Sequence, residues 1–207
     1  MSAVNRPVTR GLVAAVTAVT LLGGATACTG GSKASGAKGD SSESPSAQPH
    51  SAPFQVEVTH VAGKLSKQRR TALAKQVRST LTAYVDAAFL RADYPRSDFG
   101  DAFGTFTAGA AHDARGDQVL LTNRSLGGST TSVAATHRTA YLSVLAPKQR
   151  PAGVTAAVDL TFVVDRGDQQ AQQVHLKGRL LMTHSEKGRW SIFGYDLSRS
   201  QTPKSTS

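Results

Sequence analysis

The side chains able to move protons are few and scattered. Tyr84 and Asp86 share one predicted helix, His112 follows it, His137 and Tyr141 share one predicted strand, and Asp159, His175 and His184 sit on the strands after it. General acid–base chemistry needs two such groups converging within hydrogen-bond reach. His137 and Tyr141 are four apart on a strand, on one face but about 13 Å apart, so they are not a dyad by themselves. The six histidines are His50, His60, His112, His137, His175 and His184. None forms the i, i+4 helical pair or short-spaced cluster that a zinc site uses. There is no Gly-rich phosphate loop, nucleophile elbow or EF-hand loop, so no catalytic residue, metal or other cofactor is assigned.

Cys28 is the single cysteine in 207 residues, which excludes an internal disulfide and a Cys-rich zinc site. It ends a secretory signal pattern: Arg6 and Arg10, an apolar run of 11 residues from Leu12 to Leu22, then Gly23-Gly24-Ala25-Thr26-Ala27. A helix of that length reaches about 16 Å, roughly half the hydrocarbon core. Cleavage falls between Ala27 and Cys28, and Ala25-Thr26-Ala27 also satisfies the small-x-small rule of the ordinary signal peptidase, which leaves plain secretion with an incidental Cys28 as the alternative. Ala25 to Cys28 resembles a bacterial lipobox, with Ala25 where Leu is usual. The resemblance implies a diacylglyceryl thioether on Cys28 and further acylation, palmitate included. A lipid anchor on the extracytoplasmic face of the cell membrane follows, since two or three chains hold where one binds only marginally.

Residues 1–27 are therefore read as a lipoprotein signal peptide and 28–53 as the lipidated Cys with its linker. Residues 29–53 carry seven Ser, four Gly and three Pro and no large apolar side chain. Such a segment cannot bury enough surface to offset its ordering entropy, so a disordered tether is expected. Its r.m.s. reach as a coil is roughly 25–30 Å. A frayed polar tail is expected over 198–207.

A folded domain is expected over 54–197, enough for one core. Phe54 to Val58 alternates and reads as a short strand. Leu73, Val77, Leu81, Tyr84/Val85 and Ala88/Phe89 mark one face of a helix that begins after Ser66 and runs to about Leu90. Pro95 breaks the chain. Phe99, Ala102, Phe103 and Phe106 share a face of a second helix, and Thr107 caps a third. Residues 133–145, Val154 to Asp165, Val174 to Met182 and Trp190 to Leu197 follow as strands. The class expected is α+β, with N-terminal helices packed on a curved, cone-like, four-stranded antiparallel sheet.

Two segments, YPRSDFGDAFGTFTAGAA at 94–111 and GRWSIFGYDLS at 188–198, together with the lipobox, resemble uncharacterised actinobacterial lipoproteins with a nuclear transport factor two-like (SnoaL-like, cystatin-like) domain. Such cones often enclose a pocket. Tyr84, Phe103, Tyr141, Phe162 and Trp190 are the candidates to line one here, with plain core packing as the alternative. Some relatives are isomerases or dehydratases with a polar pair in an apolar cavity.

The net charge is +10, and +8 after Arg6 and Arg10 are removed. Lys67, Arg70, Lys75 and Arg78 gather beside the apolar stripe of the first helix. Positive charge in a helix's first turn opposes the macrodipole, so Lys67 and Arg70 do not serve helix stability. The pattern points either to anionic lipid and cell-wall polymer or to a solvated face. Nucleic acid is not an expected partner of an exported domain. The reading is thus a non-enzymatic binding module for a small apolar ligand or an envelope protein, with a small cone-fold enzyme as the alternative.

Overall fold

A computed structural model describes residues 50–184 and 188–204. The chain enters beside its sheet: the Ala52 N–H donates to Ala135 O at 2.7 Å, and Ser51 Oγ accepts from the Ala135 N–H at 3.0 Å. Strand β1 covers Gln55–Gly63. Ser66 then caps helix α1, Lys67–Val85, by accepting from the Arg69 N–H at 3.3 Å. The stripe Leu73, Val77, Leu81, Tyr84 and Val85 is buried. Beyond Val85 the helix widens into a π turn, Asp86–Leu90, which still buries Ala88 and Phe89.

The second helix expected around Phe99 is only a 3-10 turn, Gly100–Phe103. Gly100 and Gly104 interrupt a pattern already short for a helix. Helix α2, Ala108–Ala114, starts after Thr107, and two single turns follow: α3, Gln118–Leu121, and α4, Arg124–Gly127. Four long strands close the chain: β2, Ser132–Ala146; β3, Gly153–Arg166; β4, Gln169–His184; β5, Trp190–Pro203.

The sheet has five strands in the order β1-β2-β3-β4-β5. β2 to β5 pair antiparallel, whereas β1 pairs parallel with β2, Gln55 opposite Thr139 and Gly63 opposite Ala146. This corrects the four-stranded antiparallel sheet expected from the sequence. The first strand does not stand apart from the sheet. The helical crossover between β1 and β2 brings the chain back in the same direction, and only a crossover of a dozen or more residues allows a parallel pair. A second correction concerns the C-terminus. β5 continues through Pro203, with Ser198 opposite Lys177 and Pro203 opposite Gln172. Backbone pairing, which needs no apolar side chains, orders residues 198–203.

One continuous core lies between the helices and one face of the sheet. Every second residue of β3, from Val154 to Val164, is buried in it. Phe89 stacks on Phe162 with centroids 4.5 Å apart, and Tyr84 meets Phe106 edge-on at 5.2 Å. Gly178 has φ 138°, and a Cβ there would overlap the Asp196 carbonyl oxygen. Only glycine lets β4 close so tightly on β5 at that point.

Candidate functional site

Ala27 and Cys28 lie outside the described residues. The five candidates for a pocket wall do not come together. Tyr84, Phe103 and Phe162 are buried in the core, where the ring contacts above, and that of Phe103 with Phe106 at 5.3 Å, fill the space. Tyr141 is 51% exposed. A bulge between Ala135 and His137 shifts the β2 register by one residue, which turns Tyr141 to the outer sheet face. Tyr141 borders a separate depression beside β1, while Trp190, itself 3% exposed, borders one cavity with its indole.

That cavity is a half-open cleft of about 320 Å³ where α1 meets the start of β5. Helix α1 supplies Gln76, Ser79, Thr80 and Ala83; the turn at Gly104 and Thr105 and the stretch 188–191 supply the rest. Residues 76, 79, 80 and 83 follow helical spacing, so they form one strip, polar except at Ala83, beside the buried stripe. The Trp190 indole donates from Nε1 to Gln76 Oε1 at 3.3 Å, and Thr80 Oγ1 donates to Trp190 O at 3.2 Å. The opposite wall is tied down by the backbone: the Ile192 N–H donates to Thr105 O at 3.0 Å, and the Thr107 N–H to Ile192 O at 2.8 Å. Thr105 Oγ1 is buried without a hydrogen-bond partner. A hydroxyl left so costs about 1–3 kcal/mol, and such exceptions call for an explanation.

The lining is hydroxyl, amide, indole and one guanidinium, Arg189; it contains no carboxylate or imidazole among the described residues. A guanidinium does not give up its proton in a protein, and hydroxyls become nucleophiles only beside a base. The cleft is therefore equipped to hold oxygen-bearing groups against an indole edge.

Other polar clusters stand elsewhere. His175 Nε2 lies 2.8 Å from Asp159 Oδ1 on the outer sheet face, with side chains 33% and 48% exposed. This carboxylate–imidazole pair is in solvent and not in an apolar pocket. Arg199 reaches across to the turns of α3 and α4, donating to Val119 O at 2.9 Å and to Thr122 O. Burial lowers its pKa, while Tyr84 and Tyr94 oppose that shift. The Tyr84 hydroxyl donates to Leu121 O at 2.7 Å, and burial holds its pKa above the ordinary phenol value. Partial burial, and then the hydrogen bond it donates to Asp117 Oδ2 at 2.7 Å, push Tyr195 up to about 12. Each of these groups fastens one element to another.

The basic residues do share a region. Lys67, Arg70, Lys75 and Arg78 are exposed on α1, and the last three border the seam between α1 and β1. No group of three or more His, Cys, Asp or Glu side chains among the described residues is arranged for a metal ion. None of the described helices is long and apolar enough to cross a membrane.

Sequence reasoning favoured large aromatic residues and passed over Gln76, Ser79, Thr80, Thr105 and Ser191. The signal for the first three was present as a polar i, i+3, i+4 strip on α1. No protein-family model matches the chain, and no curated protein or solved structure is significantly similar to it.

Proposed function

We propose that the chain is a membrane-anchored extracytoplasmic lipoprotein, held by acylated Cys28, whose folded domain is a non-enzymatic ligand-binding module. One observation carries the binding role: the cleft at Trp190 offers hydroxyl, amide and guanidinium groups beside an indole, with no carboxylate or imidazole in its lining among the described residues. Its ligand is a small molecule with an apolar edge for Ala83 and Trp190 and oxygen atoms for the hydroxyls around them. The sequence supports the anchor, because the lone thiol stands where a lipobox would be modified. Two chains of acyl carbon give firm membrane attachment without any spanning helix.

Native mass spectrometry of the membrane-extracted protein tests both halves. A mass increase equal to a diacylglyceryl group, lost in Cys28→Ser, is the expected result for the anchor. A stoichiometric small molecule that leaves on mild activation is expected for the cleft. A Cys28→Ser chain that stays with the membrane pellet as firmly as wild type contradicts the anchor.

A further inference from the structure

We propose that the seam between α1 and β1 is a docking groove for an extended acidic segment of a partner protein, which adds to the sheet as a strand beside β1. Independent of the Trp190 cleft, this inference begins with the sheet edge. Among the described residues β1 is an edge strand of the sheet, with a neighbour only at β2. No residue of Gln55–Gly63 makes a backbone hydrogen bond to any described segment outside the sheet. An open edge is a template for another strand, and proteins usually cover or blunt it. Here the bulge between Val58 and His60 interrupts the edge only at its far part and leaves Gln55–Val58 regular.

Alongside that regular part runs a depression of about 520 Å³ with Val56, Val58 and Ala74 as its apolar floor. It meets a second depression of about 510 Å³ that shares Val56, Glu57 and Arg78 with it. The trough is therefore longer than a single side chain needs. Arg70, Lys75 and Arg78 stand on its rim against one carboxylate, Glu57. No ion pair joins Glu57, Lys75 or Arg78 to any described residue, and Arg70 spends only its Nε, on Leu65 O at 3.2 Å. The nineteen residues of α1 include five cations and no acidic side chain.

Alternation fits the two features together. Every second side chain of an added strand faces the helix side, and residues four apart on it are about 13 Å apart. Arg70 and Arg78 are eight helical residues apart, about 12 Å along the axis. Acidic residues at alternate positions thus meet the rim cations, whose methylene stems cover the floor. A lipid headgroup would use the cations but would leave the strand edge unused, so the edge favours a peptide.

The test is fluorescence anisotropy of a labelled octapeptide of alternating valine and glutamate, titrated with the full chain. Saturable binding is expected, with no binding by the lysine-for-glutamate peptide and about tenfold weaker binding by Lys75→Glu/Arg78→Glu. Two further peptides carry N-methyl groups at odd or at even positions. One of them must lose about tenfold or more, because one set of N–H groups pairs with β1. This arm needs no variant to fold. Equal affinity of both methylated peptides for the wild-type chain overturns strand addition. Failure of the glutamate peptide alongside binding to phosphatidylglycerol vesicles overturns it in favour of a lipid surface. Failure with both probes overturns the docking role altogether.

Discussion

Helix α1 has two seams with the sheet, and they are chemically unlike. At β5 it presents Gln76, Ser79, Thr80 and Ala83, neutral side chains around a half-open cleft beside a Trp. At β1 it presents Arg70, Thr71, Ala74, Lys75 and Arg78, cationic heads over an apolar floor beside an open strand edge. The buried stripe from Leu73 to Val85 separates the two. The difference teaches that open space lies at the margins of the helix–sheet sandwich, while the aromatic interior is filled.

The comparison can be broken most severely from that interior. Phe162→Ala removes the ring stacked on Phe89 and is expected to cost about 3–5 kcal/mol in denaturant unfolding. Both seams should be lost together. Gly178→Ala follows, because a Cβ at φ 138° meets Asp196 backbone; a loss well above about 1 kcal/mol is expected. Thr80→Val acts on one seam alone. It deletes the hydrogen bond to Trp190 O, costs about 1 kcal/mol and should alter emission from the chain's single Trp.

Alkaline unfolding sharpens the contrast at β5. The folded Tyr195 phenol is raised from its ordinary 10.0 to about 12. Its stabilising share is therefore complete below pH 10 and is lost as pH rises toward 12. Tyr195→Phe should flatten the fall in denaturant midpoint across that window. The smallest effect is expected for Lys75→Glu/Arg78→Glu, within about 0.5 kcal/mol of wild type, because both side chains are exposed and form no ion pair with the described residues. Near-unchanged stability there makes any loss of peptide binding specific to the second seam.

Local patterns in the chain carried the long elements. The alternation of Val154 to Val164 is β3, and the stripe from Leu73 to Val85 is the buried face of α1. Features that depend on distant partners were not legible. β1 finds its parallel neighbour across the whole helical crossover, and nothing within QVEVTHVAG states that direction. β5 extends past Leu197 because β4 is there to pair with it. Tyr141 shows a subtler failure. Val133 and Ala135 are buried at odd positions, and Ala140, Leu142 and Val144 at even ones. That change of parity is written in the sequence, and a bulge is its physical meaning. The cleft was missed for another reason: size and aromaticity mark a core before they mark a pocket. In this fold Tyr84, Phe89, Phe103 and Phe162 fill the interior, and small polar residues beside Trp190 border the cleft.

Ala83 is exposed on the cleft side of α1, so a larger side chain there fills the cavity without touching the core. The most direct test compares native mass spectra of wild-type and Ala83→Phe protein, both extracted from membranes under the same conditions. A one-to-one small-molecule adduct on the wild type that is absent from Ala83→Phe is the predicted result. The same adduct on both proteins, or none on either, contradicts a ligand-binding role for the Trp190 cleft.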